Sequence, residues 1–223
     1  MATPPLILDI DGTLTRPEGW GIDPRLFDPL LEWEAPIIIA TGKAFPYPIA
    51  LCHFLGIPEL VVAENGGITY TGEDVFVTAD REAAQAVAED YLEAGYELGW
   101  GPENTVNRWR ETEIAVAREQ SIEPLRELAA ERGLEVIDTG YALHIKDPAV
   151  QKGDGVRTVA EAIGIDLEQA VAVGDSINDV STFSVVGRSF AVSNADADAK
   201  AAADEVLQKA HADGTLAVLE RIR

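Results

Sequence analysis

Two carboxylates two residues apart, Asp9 and Asp11, close the apolar stretch Leu6-Ile7-Leu8 just before Gly12. In an extended chain residues i and i+2 point to one side, so both acids face one way and Ile10 the other. Like charges this close repel, which makes the pair a site for a proton or a cation. An Asx-turn ending an ordinary strand uses the same residue types, so the pair gains meaning only with partners. Three more polar segments follow: Thr41-Gly42, Lys152-Gly153, and Gly174-Asp175-Ser176-Ile177-Asn178-Asp179. If the flanking strands are parallel, all of them lie along the carboxyl edge of one sheet, where α/β proteins bind ligands. Three carboxylates with some water suit Mg²⁺, a hard ion that prefers oxygen. Hydroxyl and N–H groups around Thr41, at a helix entrance, suit phosphate oxygens, and Lys152 adds a compact positive charge. An EF-hand loop is excluded, because it needs glycine sixth and glutamate twelfth, whereas Gly12 is fourth and Trp20 twelfth.

Hydrophobic patterning supplies the elements that hold these groups. Arg16 to Asp23 reads as a loop containing Gly19, Trp20 and Gly21, after which Pro24 opens a helix to about Trp33 with Asp23 as N-cap. The apolar run 35–40 suits a parallel strand buried on both faces. A helix from about Pro46 to Leu55, a strand at 60–63 and a hairpin of 68–70 with 75–77 follow. From about Asp80 the order changes to a helix over 80–94, a strand over 113–118, a helix over 121–132, and strands over 134–137 and 141–145. Alternation resumes with a helix from Lys152 to Ile163 stopped by Gly164, a strand over 170–173, a helix from near Ile177, a strand over 189–192 and alanine-rich helices. The fold class is α/β: a Rossmann-like, doubly wound parallel-sheet core of residues 1–79 and 150–223, with an inserted α+β cap domain at 80–149.

The 223 residues, 47% of them apolar, can bury a large core. No apolar run reaches the roughly eighteen residues of a membrane span, and no basic-then-apolar leader opens the chain, so a cytoplasmic location is expected. Cys52 is the sole cysteine and reads as a small buried hydrophobe, with no partner for an internal disulfide. The net charge of -22, from 39 acidic and 17 basic residues, argues against nucleic acid or an anionic membrane as partner. The acids are spread over stretches such as 80–93, and lysines are few beside arginines. Such a surface resembles those of halophilic proteins. At about 1 M salt the Debye length is about 3 Å, so self-repulsion is screened there and loosens the fold in dilute buffer.

Taken in order, Asp9-Ile10-Asp11-Gly12-Thr13-Leu14-Thr15, Ala40-Thr41-Gly42, Lys152-Gly153 and Gly174–Asp179 resemble the four motifs of the haloacid dehalogenase superfamily over nearly the whole chain. The insertion is similar in position to the α/β cap of the branch that carries it between the second and third motifs. Thr15, the compact cap and the Lys152-Gly153-Asp154-Gly155-Val156 context are most similar to archaeal-type phosphoglycolate phosphatases. The resemblance implies a Mg²⁺-dependent phosphomonoester hydrolase. Asp9 would be the nucleophile, forming an aspartyl-phosphate that splits hydrolysis into two easier steps. Mg²⁺ would keep Asp9 ionised and neutralise repulsion from the incoming phosphate. Asp11 would act as general acid for the departing alkoxide and then as base for water, with its backbone carbonyl on the metal. Thr41, Gly42 and Lys152 would bind the phosphoryl group. Asp175 would ligate the metal directly, Asp179 through water or as a support for Asp175 and Lys152, and Asn178 would brace these ligands. The implied substrate is a small phosphorylated metabolite, foremost 2-phosphoglycolate, with a sugar or sugar-acid phosphate as the alternative. A phosphomutase using the same intermediate and a non-enzymatic cation-binding protein stay open, as does assembly into a homodimer. Halide displacement is disfavoured, since Asp11 and a Mg²⁺ site suit phosphate chemistry.

His53, His144 and His211 share no ligand spacing and read as packing or surface, although His144 on a cap strand could face substrate. Trp100, Trp109 and Tyr141 read as cap core, with the site entrance as their alternative place. Arg108 and Arg110 could reach a substrate carboxylate, which a guanidinium matches. Asn65, at the end of a core strand, could touch substrate or stabilise the cap hinge.

Overall fold

In the computed structural model residues 3–18 and 21–223 are described, so Gly19 and Trp20 of the expected 16–23 loop lie outside the described residues. Strand β1 (Leu6–Leu8) leads through a 3-10 turn into α1 (Phe27–Leu31), β2 (Ile37–Ala40), α2 (Pro46–Leu55), β3 (Val61–Ala63) and the hairpin β4 (Ile68–Tyr70) with β5 (Val75–Val77). Then come α3 (Arg81–Glu93), β6 (Ile114–Ala117), α4 (Ile122–Glu131), β7 (Glu135–Asp138) and β8 (Ala142–Lys146). The chain closes with α5 (Lys152–Ile163), β9 (Val171–Gly174), α6 (Val180–Phe183), β10 (Arg188–Ala191), α7 (Ala197–Ala202), β11 (Glu205–Val206) and α8 (His211–Ile222).

Every residue of β1, β2, β3 and β9 is buried, as uniformly apolar strands must be when helices cover both faces. They sit in an eight-stranded sheet of order β11-β10-β9-β1-β2-β3-β4-β5. Pairing is parallel from β11 to β3 and antiparallel through the hairpin. The chain winds from β1 towards β3 on one side and from β9 towards β11 on the other. Strand order therefore reverses between β1 and β9, where Leu8 pairs with Val173. A crevice opens at such a switch point, beyond the carboxyl ends of the two strands. Asp9 and Asp175 follow those ends.

The inserted segment builds its own antiparallel sheet, β6-β8-β7, packed against α3 and α4. Its apolar cluster includes Val87, Tyr91, Val116, Leu125 and Ile145 and is separate from the cluster around β1 and β2. Among the described residues no helix is long and apolar enough to cross a membrane.

Local differences from the sequence reading have local causes. Asp23 does cap the first helical segment, its Oδ1 accepting Arg25 N–H at 2.9 Å. The α-helix nevertheless stops at Leu31, short of Trp33, whose Nε1 turns away to donate to Pro4 O at 2.9 Å. The segment after Asp175 is a 3-10 turn, Ile177–Asp179, running into the four-residue α6. Trp109 is 48% exposed and is not cap core. It lies in a stretch without regular structure, where nothing imposes burial, beside Arg108 Cζ at 5.9 Å from its ring centroid. Cys52 is fully buried, and burial, with Glu59 nearby, pushes its thiol up to about 12.

Candidate active site

The turn after β1 needs glycine. Gly12 has φ +72, and a Cβ there would lie 2.0 Å from Asp175 Oδ2, so only glycine permits both the left-handed turn and the close approach. Thr15 Oγ1 closes the turn by accepting Gly12 N–H at 3.0 Å. Helix α5 presents Lys152 as its first residue, and it can do so because Gly153 lets the helix press on α6. A Cβ on Gly153 would lie 2.3 Å from Ser181 O. Beyond β9, Asp179 folds back under its own loop, its Oδ2 accepting the N–H groups of Asp175 at 2.9 Å and Ser176 at 3.1 Å.

These elements bring Asp9, Asp175 and Asp179 together, with one oxygen from each within 4.8 Å of the others. Buried Lys152 joins them, its Nζ donating to Asp9 Oδ1 at 2.9 Å and Asp179 Oδ1 at 2.7 Å. Burial would lower the Lys152 ammonium, but the charges of Asp179 and Asp9 more than reverse that and hold it above the ordinary range. Asp9 is pushed up to about 7 by burial and by repulsion from Asp179 and Asp11, against the pull of Lys152. Asp175 is raised for the same first reason, burial, and by the charges of Asp9 and Asp179. One ammonium does not neutralise this many carboxylates. A hard divalent cation fits the remaining oxygen donors, and buried Asp11 Oδ1, which has no hydrogen-bond partner among the described residues, fits it or a substrate proton.

Asp9, Asp11, Gly42, Asn178 and His144 line one narrow cavity with Tyr141 above them. It adjoins a wider space of about 370 Å³ that shares Asp11 and Tyr141 and runs out between the two units. Thr41 is buried beside Gly42, with its N–H donating to Val62 O at 2.8 Å and its Oγ1 accepting Lys43 N–H at 3.2 Å. Helix α2 starts only at Pro46, so Thr41 does not sit at a helix N-terminus.

Residues 114–219 match the family described as haloacid dehalogenase-like hydrolase. The chain is 53% identical over 222 residues to a phosphoglycolate phosphatase of Natronomonas pharaonis, covering 98% of this chain and 97% of that protein. The chain belongs to the haloacid dehalogenase superfamily. A second relative, a phosphoglycolate phosphatase of Halobacterium salinarum, is 50% identical over 222 residues, covering 100% of this chain and 98% of that protein. Both relatives come from halophilic archaea. A solved structure from Thermoplasma acidophilum has the same fold at a TM-score of 0.85 and 23% identity, covering 100% of this chain and 99% of that one. Within the superfamily this chain is a phosphatase, a phosphoric monoester hydrolase.

Other candidates fall out differently in this superfamily member. Arg110 does not reach for substrate: it is buried against Glu113 and donates from Nη1 to Gly42 O at 2.9 Å. Arg108 stays on the surface. His53 pairs with Glu59 at the surface, and His211 lines the wider space, its imidazole lowered by burial against the opposing charge of Asp213. Tyr141 takes the entrance place, stacked on Trp100 at 6.2 Å between centroids. Sequence reasoning passed over Lys43. Its Nζ lies 2.9 Å from Asp11 Oδ2 and 4.0 Å from the Tyr141 ring centroid, and its position right after Thr41-Gly42 was the available signal.

Proposed function

We propose that this phosphatase hydrolyses 2-phosphoglycolate to glycolate and phosphate with Mg²⁺, through an aspartyl-phosphate on Asp9. The convergence of Asp9, Asp175, Asp179 and Lys152 at the β1/β9 switch point carries the chemistry. The likeness to the phosphoglycolate phosphatases, together with the narrow cavity over Asp9, supports the substrate. In this reading residues 1–79 and 150–223 are the catalytic core and 80–149 is a cap that closes over a small molecule.

Asp9 Oδ attacks phosphorus and the bond to the substrate's alkoxide oxygen breaks, with Asp11 giving that oxygen a proton. Water then attacks phosphorus as Asp11 takes its proton, the acyl-phosphate bond breaks, and phosphate leaves Asp9 free. The Thr41 hydroxyl and the loop at Gly42 hold the phosphoryl oxygens while Lys152 keeps Asp9 in line. Asp9, the backbone carbonyl of Asp11, and Asp175 would hold Mg²⁺, which supplies positive charge against the phosphate. Asp179 is already engaged by Lys152 and two N–H groups, so it braces the site or reaches the ion through water. Lys43 anchors Asp11 and meets the end of the substrate away from phosphate.

Phosphate release is to be measured over 2-phosphoglycolate, sugar phosphates and sugar-acid phosphates, with Mg²⁺ and molar KCl. The expected result is a kcat/KM for 2-phosphoglycolate at least about tenfold above the others, which corresponds to about 1.4 kcal/mol of transition-state binding. A higher value for any sugar phosphate, or phosphate passed to a second hydroxyl instead of water, overturns the assignment.

A further inference from the structure

Glu64 and Asn65 both hold left-handed backbone, at φ +49 and +56. Non-glycine residues rarely do so, and the conformation persists only where the surroundings over-determine it. Here the segment 110–113 of the inserted unit does that. The Glu64 carboxylate accepts the N–H groups of Glu111 at 3.0 Å and Thr112 at 2.8 Å, and the Thr112 hydroxyl at 2.7 Å. Asn65 Nδ2 donates to Glu113 Oε2 at 2.7 Å. Buried Glu113 also takes Arg110 Nη1 and, at 2.7 Å, His144 Nδ1. From the opposite side Asn178 Nδ2 donates to Asn65 Oδ1 at 2.8 Å, while Asn178 Oδ1 accepts the Ser176 hydroxyl at 2.6 Å. One carboxylate of the inserted unit thus reaches the Asp175–Asp179 loop through Asn65, and Gly42 O through Arg110. Asn178 also lines both the narrow cavity over Asp9 and a groove of about 610 Å³.

We propose that Glu113 and Asn65 are positioning residues: seating 110–113 against the core sets Asn178, and with it the Asp175–Asp179 loop, so that the cation site is complete only when the inserted unit is docked. This rests on the reading of that site as a Mg²⁺ site and adds residues outside the four motifs that hold it in register.

The test is Mg²⁺ affinity by titration calorimetry on the full chain, with kcat and KM alongside, for wild type, Asn65→Gly, Glu113→Gln and the double variant. Glycine accepts φ +56 without strain, so Asn65→Gly deletes the link without adding backbone strain. Its Mg²⁺ binding is expected to weaken about tenfold, with kcat falling and KM changing less than about twofold. Glu113→Gln keeps an acceptor and loses less, and the double variant is no worse than Asn65→Gly, because both act through one link. Wild-type Mg²⁺ affinity in Asn65→Gly, or losses that multiply in the double variant, overturns the proposal while leaving the Mg²⁺ reading intact. Should Asn65→Gly fail to fold, unchanged affinity in Glu113→Gln overturns it equally. Wild type that binds no Mg²⁺ removes both.

Discussion

Lys152 Nζ donates to Asp9 Oδ1 at 2.9 Å, and both side chains are buried. The ammonium arrives from α5 and the carboxylate from the end of β1, 143 residues apart in sequence. It also serves Asp179, so a single cation holds together groups from three segments. Removing one member of such a pair leaves a buried charge uncompensated, at about 3–5 kcal/mol.

Lys152→Met is therefore expected to lower the unfolding free energy of the metal-free protein by about 3–5 kcal/mol and kcat by about 10²–10³-fold. Urea denaturation and steady-state kinetics check it. A change under about 1 kcal/mol would place the pair among weakly coupled ones.

The pH dependence has a definite sign. Asp9 is raised from 3.8 to about 7, burial being the main cause. Between those values the folded chain holds a proton that the unfolded chain has lost, so this stabilisation is full below 3.8 and gone by about 7. Relative to Asp9→Asn, metal-free wild type is expected to lose stability across that window. Mg²⁺, which needs the ionised carboxylate, is expected to raise the melting temperature more at about pH 8 than at about pH 5. Asp9→Asn keeps the fold and abolishes turnover. A wild-type stability that climbs relative to Asp9→Asn through the window contradicts the assignment.

Gly12→Ala separates backbone strain from damage to the site. A left-handed backbone with a Cβ costs roughly 1–2 kcal/mol, and here the Cβ also runs into Asp175. Mg²⁺ affinity is expected to fall about 10–100-fold. Gly133→Ala has the same φ of +72 with nothing among the described residues within 4 Å of its Cβ, and is expected to lose stability alone. Equal Mg²⁺ affinities in the two variants would refute the account.

Salt should stabilise this protein. Surface ion pairs such as Arg223–Glu32 and Arg25–Asp213 weaken on screening, but exposed pairs of this kind add little to stability. The net charge of -22 repels itself throughout. The melting temperature is expected to rise from about 0.1 M to about 2 M KCl as the Debye length falls below about 3 Å. The kcat/KM for a dianionic substrate is expected to hold or increase. Greater stability in dilute buffer, or a steady loss of kcat/KM up to molar salt, counts against it.

Much of this was legible along the chain. The hairpin of β4 and β5 and the span of α5 fall where alternation, Gly164 and the polar turn place them. Asp9, Thr41, Lys152 and Asp175 stood out because each breaks an apolar run or opens a helix, at the one edge of a parallel sheet where ligands bind. Lys43 was overlooked although it sits beside Thr41. Its pairing with Asp11 exists because β1 and β2 are neighbours, Leu8 against Ile39. Arg110 looked like a ligand for substrate and turned out to be held between Glu113 and Gly42 O.

The order and type of residues by themselves determined the alternating core, the carboxylates that end its strands and the acid-rich surface, since these follow from hydrophobic period and local backbone preference. Only the tertiary structure decided that Asp179 turns back onto its own loop, that Lys43 stacks under Tyr141, and that Glu113 reaches Asn178 through Asn65. The Lys43 and Glu113 contacts join segments tens of residues apart, and short-range preferences carry no information about which buried donor will meet which acceptor.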